Sequence, residues 1–155
     1  MERAVNNAHR GRQTRDGIRI YEPSDHAGMQ AAGRLAATIL DEIAEHVFPG
    51  QTTGELDRLI EEKVNATGAK SATIGYKGYQ HASCISVNHV VCHGIPSDKK
   101  LKDGDILNID VTVIVDGWFG DTSRMYVAGK LSRKAERLIN VTHDSLMHGI
   151  EAVKP

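Results

Sequence analysis

The 155-residue sequence predicts an α+β fold. Apolar residues recur at helical spacing near both ends of the chain, and alternating, β-rich runs occupy the middle. The two longest β-rich runs flank one Asp-Gly pair, Asp116-Gly117, the strongest short-range hairpin signal. The order is two helices, a few antiparallel strands and one helix, which is α+β.

Residues 1–17 are polar and Arg-bearing with no apolar centre, so they read as a flexible N-terminal extension and not a secretory signal. The folded domain is expected over 18–155. A first helix begins at Ser24 or Asp25, either of which can cap it, and Met29, Ala32, Ala36, Ile39, Ile43 and Val47 hold its stripe. Phe48-Pro49-Gly50 stops it. Thr52 opens a second helix through a capping box with Glu55, with Leu56, Leu59, Ile60 and Val64 as its stripe and Gly68 at its end. Both helices are expected to cover a sheet and to carry no chemistry.

Gly75-Tyr76-Lys77-Gly78-Tyr79 is a loop with two aromatics in an aromatic-poor chain. Such residues either line a pocket or cap the edge of the core, and the sequence leaves both open. Residues 83–88 alternate like a short strand. A loop follows that holds His93, bounded by Gly94 and Pro96, and then a charged turn with Lys99, Lys100 and Lys102 in solvent. Strand runs 106–115 and 118–128 meet at the Asp-Gly turn, and Gly129 ends the second. Ser132 caps a last helix with Ala135, Leu138, Ile139, Leu146, Ile150 and Val153 as its stripe; His143 and His148 read as surface or packing residues.

A net charge of −1 gives no electrostatic reason for a nucleic-acid partner. The two cysteines, Cys84 and Cys92, make no disulfide framework. Cys92 beside His93 reads as a small buried residue in a reducing compartment in preference to a nucleophile. There is no apolar run of membrane-spanning length. A cytoplasmic protein is the expectation.

The chemistry lies in the hairpin. Asp110 interrupts an apolar β run, and burying an unpaired carboxylate is expensive. A two-residue Asp116-Gly117 loop sets Val115 opposite Trp118, Thr112 opposite Asp121 and Asp110 opposite Ser123. Asp110, Thr112 and Asp121 then share one face, while Ile109, Val111, Val113 and Val115 form a core face. Diagonal partners sit roughly 7–8 Å apart, so the two acids could bridge one divalent ion or a pair about 3.5–4 Å apart. The bland alternative is two solvated acids on an open face. The acids' register and the apolar character of Ile106, Leu107 and Ile114 favour metal ligation. A one-residue bulge would put the acids on opposite faces. Two carboxylates are too few ligands for such ions, and no general acid or base is evident beside them.

These motifs carry a resemblance. V-V-C-H-G-I-P at 90–96, G-D-I-L-N-I-D-V-T-V at 104–113 and D-G-W-F-G-D-T-S-R-M at 116–125 resemble the bacterial type I methionine aminopeptidases, which are pita-bread metallopeptidases. The likeness runs from about Ile18 to Pro155. It implies the N-terminal half of a pita-bread (creatinase/aminopeptidase) fold, with helices over an antiparallel sheet. It implies a site for two divalent ions (cobalt, manganese, iron, zinc or nickel) held by two Asp, one His and two Glu. Asp110 and Asp121 match the two Asp. The His and both Glu, one of them the general acid/base, have no counterpart here, so this chain alone is expected to be inactive or weak. His93 matches the histidine that contacts substrate and assists the reaction. Tyr76, Tyr79 and Cys84 match the wall of the methionine side-chain pocket, with Thr73 where some relatives carry a further Cys. Asn88 and Val90 match a loop that holds a monovalent cation. The implied activity is removal of initiator methionine ahead of a small second residue. The implied partners are nascent N-termini at the ribosome, with the complete enzyme a monomer. Two other outcomes stay open: a non-catalytic peptide-binding module of the same fold, and a half-domain that homodimerises.

Overall fold

The computed structural model describes residues 10–154. Residues 1–9 of the expected extension lie outside the described residues. The first segment is a small hairpin, β1 (Arg12–Gln13) with β2 (Arg19–Ile20), each strand too short to show a period in sequence. The expected boundary after Gly17 falls inside it. The hairpin is held against the Asp116-Gly117 turn: the Arg10 guanidinium lies 4.3 Å over the Trp118 ring and donates to the Asp116 carbonyl, and Tyr21 meets Trp118 at 5.1 Å between centroids.

Helix α1 spans His26–Ile43. Its N-cap is one of the two expected residues, but it is held differently. Asp25 occupies the N-cap position without a side-chain cap bond, and the capping box lies one turn earlier, between Glu22 and Asp25. Pro23 explains this. Its fixed φ starts a 3₁₀ turn at Pro23–Asp25 that leads into the helix. The α-helix also stops short of Val47, tightening into a 3₁₀ turn at Ala44–His46, a common way for a last turn to satisfy its carbonyls. Ala32, Ala36, Ile39 and Ile43 are buried, whereas Met29 is exposed.

Helix α2 spans Thr53–Ala66 and begins as its sequence requires. Glu55 N donates to Thr52 Oγ1 at 3.1 Å, and Thr52 N donates to the Glu55 carboxylate at 2.9 Å. Leu56, Ile60 and Val64 are fully buried and Leu59 packs at the margin.

The main sheet is antiparallel and centred on β5 (Asp105–Val115). Strand β6 (Trp118–Ala128) pairs along its whole length. On the other side β3 (Lys70–Ser71) and β4 (Ser83–Val87) lie end to end, β3 against residues 113–114 and β4 against residues 107–111. Helices α1 and α2 cover one face, over Leu107, Ile109, Val111 and Val113. Burying each of these aliphatics contributes on the order of 1.5–3 kcal/mol. Gly120 lets α1 lie flush on β6, since a Cβ there would come within 2.2 Å of the Ala32 backbone. Tyr126 anchors the same contact by donating to the Leu40 carbonyl at 2.6 Å.

Helix α3 (Arg133–Ala152) is capped by Ser132, which accepts from Ala135 N. Its stripe has the expected spacing, but none of its residues is buried.

Candidate metal centre and its groove

Asp116 and Gly117 both lie in the left-handed region, with φ of 47° and 77°, as a type I′ turn demands. The pairing then runs without a bulge from Val115↔Trp118 to Asp105↔Ala128. Thr112 faces Asp121 and Asp110 faces Ser123, as the register argument requires. The two acids therefore share the face of β5 and β6 that the helices do not cover.

On that face Thr112 Oγ1 donates to Asp121 Oδ1 at 3.0 Å, which fixes the Asp121 carboxylate from its cross-strand neighbour. Asp110 is half-buried. Burial pushes its carboxyl above the ordinary range, and the Asp121 charge and a hydrogen bond between the two carboxyls push the same way; His93 opposes them. Two carboxylates brought this close repel unless a proton or a cation lies between them.

His93 enters from the loop after β4. Its φ of 53° is unusual for a residue with a side chain, and the next residue explains how it is held. Gly94 is stitched to β4: Ile85 N donates to its carbonyl at 2.8 Å, and its own N–H donates to Ser86 Oγ at 3.0 Å. A Cβ on Gly94 would lie 2.2 Å from the Ile85 carbonyl oxygen, so only glycine allows this approach.

Asp110, Asp121 and His93 share one groove of about 590 Å³ with Tyr76, Tyr79 and Cys84. Thr73, Thr112 and Ile95 complete its lining, with Lys77 and Gly78 from the tyrosine loop. Tyr76 is exposed at the rim. Tyr79 is pinned, its hydroxyl donating to the Ser83 carbonyl at 2.8 Å and accepting from Cys84 Sγ at 3.6 Å. Burial raises the thiol pKa of Cys84, so it remains a neutral wall residue. Cys92, read as buried, is exposed on the loop before His93. The choice that composition left open between pocket and core edge resolves to a pocket wall.

Asn88 and Val90 are not in this groove. Asn88 Nδ2 donates to Asp105 and its Oδ1 accepts from Ile106 N, and the residue borders a separate cavity beside α3. Val90 borders a small cavity of about 90 Å³ with Ile85 and Gly94.

Sequence reasoning passed over Asp57. It lies on α2 and is the only buried charged side chain among the described residues. It accepts from Ser83 N, Ser83 Oγ and His81 Nδ1 at 2.9, 2.7 and 2.9 Å. The signal was available: Asp57 stands at helical spacing with Thr53, Ile60 and Val64, inside the stripe that faces the core.

Convergent carboxylate oxygens suit a hard or borderline divalent cation, and Asp110 and Asp121 would hold it. Among the described residues no group of three or more His, Cys, Asp or Glu side chains is placed to do so.

The chain belongs to metallopeptidase family M24, whose family model matches residues 27–155. It is 54% identical over 138 residues to the methionine aminopeptidase of Rickettsia prowazekii, covering 89% of this chain and 53% of that protein. The Escherichia coli K12 methionine aminopeptidase is also 54% identical, over 140 residues, with the same coverage. Among solved structures, the Rickettsia prowazekii methionine aminopeptidase superposes with a TM-score of 0.88 and the Thermotoga maritima enzyme, 36% identical, with 0.84; each match covers 89% of this chain and 56% of the other. The Xaa-Pro dipeptidase of Bacillus anthracis, 20% identical with a TM-score of 0.75, shares the pita-bread fold. The chain spans about half the length of the curated relatives it matches.

Proposed function

We propose that this chain supplies one half of a methionine aminopeptidase site. The observation that carries the reading is the meeting of Asp110, Asp121, His93, Tyr76, Tyr79 and Cys84 in one groove, in a chain this similar to methionine aminopeptidases. Asp110 and Asp121 would hold a pair of divalent ions, and Thr112 keeps the Asp121 carboxylate fixed. When bound, such ions supply Lewis acidity and a water acidified toward neutral pH. His93, standing clear of the sheet on its left-handed turn, donates a hydrogen bond to the scissile amide or the oxyanion developing from it. Tyr76, Tyr79 and Cys84 offer an aromatic and sulfur-bearing wall that suits a thioether.

Two carboxylates leave most of a divalent ion's coordination shell open, so further ligands and the general acid/base come from protein beyond these residues. The substrate is the free N-terminus of a new polypeptide, met in the cytoplasm near the ribosome, and the complete enzyme is a monomer. The ion is cobalt, manganese, iron, zinc or nickel. The backbone carbonyls of Asn88 and Val90 hold a monovalent cation.

The test is methionine release from Met-Ala-Ser in manganese or cobalt, by this chain alone and by this chain mixed with the C-terminal half of the Escherichia coli relative. Release from the mixture, absent with Asp110→Asn, is the expected result. A folded, metal-loaded mixture with no release would overturn the peptidase reading in favour of a peptide-binding module.

A further inference from the structure

We infer that Asp57 is a positioning residue for the side-chain pocket, acting through His81 and Ser83 on Tyr79 and Cys84. The consequence for methionine recognition rests on the proposed function; the geometry does not.

A buried carboxylate costs several kcal/mol unless it is well satisfied, so its place on an otherwise structural helix calls for a reason. Asp57 reaches out of α2 to the start of β4 and takes three hydrogen bonds there. Two come from Ser83, whose carbonyl is the acceptor for the Tyr79 hydroxyl. The third comes from His81, whose ring meets the Tyr79 ring edge-on at 5.5 Å between centroids. One carboxylate thus fixes both supports of Tyr79, the ring against its side and the carbonyl at its tip. Cys84 is the next residue along β4, donates to the same tyrosine hydroxyl, and is the cross-strand partner of Asp110. The remaining carbonyls of this segment are held as well: Thr73 Oγ1 donates to His81 O at 2.7 Å and Ser71 Oγ to Ala82 O at 3.2 Å. Residues 81–83 form a clamped link between helix and pocket, and Asp57 is its only charged anchor among the described residues. An aliphatic residue at 57 would pack α2 on the sheet but leave the buried Ser83 N–H without its acceptor. An acceptor at 57 therefore fixes where Ser83 and His81 sit.

The test uses the 155-residue chain carrying Cys92→Ser, so that Cys84 is the sole thiol. The rate of Cys84 reaction with an aromatic disulfide reads the wall directly, and ligand-observed NMR with methionine amide reads the pocket. Asp57→Ala is expected to raise the Cys84 rate roughly tenfold and to weaken methionine amide binding by a similar factor. Asp57→Asn removes the charge but keeps an acceptor for Ser83, and is expected to stay near the parent in both readings, which separates position from charge. Leu59→Ala loosens the same helix without touching the network and is expected to leave Cys84 unchanged. His81→Ala, at a partly exposed site, removes one support of Tyr79 and gives a smaller rise; it decides the matter alone if Asp57→Ala does not fold. A Cys84 rate that is unchanged in folded Asp57→Ala, unchanged in His81→Ala, or equally raised in Leu59→Ala overturns the inference. If the rates behave as expected but methionine amide never binds the parent chain, the positioning role stands and the thioether reading of the groove falls.

Discussion

Strand β5 has two faces with opposite purposes. Leu107, Ile109, Val111 and Val113 are buried under α1 and α2, while Asn108, Asp110 and Thr112 on the other side are half-exposed. The first face gains free energy from every side chain it buries. The second places Asp110 where burial and the neighbouring Asp121 charge oppose its ionisation. Alternation along a single strand allows both, because adjacent residues never compete for the same environment. The core face sets the register, and the register sets where the acids meet.

The largest way to break this division is on the aliphatic face. Ile109→Ala is expected to destabilise the chain by about 2–5 kcal/mol, read as a lower urea midpoint with little change in slope. The same size of change on the opposite face behaves differently. The folded-state pKa of Asp110 is raised, so the unfolded chain ionises first as pH rises from the ordinary carboxylate value near 4. The contribution of Asp110 to metal-free stability is therefore full below that value and falls as pH rises through the raised pKa, against the opposite contributions of Glu55 and Asp105, whose carboxyls are held below the ordinary range. Asp110→Asn is expected to remove that slope and leave the chain at least as stable at neutral pH, by urea titrations across pH 4–8. A parent that gains stability relative to Asp110→Asn over this window would show that the pair is not repulsive. The smallest expected effect is at Thr112. Thr112→Val keeps the shape and removes the bond to Asp121, so stability changes little while manganese affinity drops about threefold, as expected for one modest hydrogen bond.

What the sequence made legible follows the same line between local and non-local. The Thr52–Glu55 capping box and the Asp116-Gly117 turn are closed within a few residues, and both formed as read. The turn fixed the pairing of two 11-residue strands, which is why Asp110 and Asp121 could be placed together from sequence. Asp25 is the N-cap of α1, one of the two positions read, but the 3₁₀ turn that Pro23 starts carries a capping box between Glu22 and Asp25 that was not legible beforehand. Strands β1, β2 and β3 hold two residues each and carry no period to detect. The Asp57 network joins residues 26 positions apart, and only the place of Asp57 in the buried stripe of α2 hinted at it. The stripe of α3 was legible as a pattern, but a pattern does not say what lies against it.

The most direct test of the acid pair is manganese titration of the 155-residue chain, followed by calorimetry or the loss of free-ion electron paramagnetic resonance signal. Asp110→Asn and Asp121→Asn are compared with the parent at neutral pH. If the two carboxylates share an ion, the parent binds manganese, weakly for want of further ligands, and each single variant loses at least about tenfold in affinity. Equal affinity in the parent and both variants would contradict a shared site on this face of the hairpin.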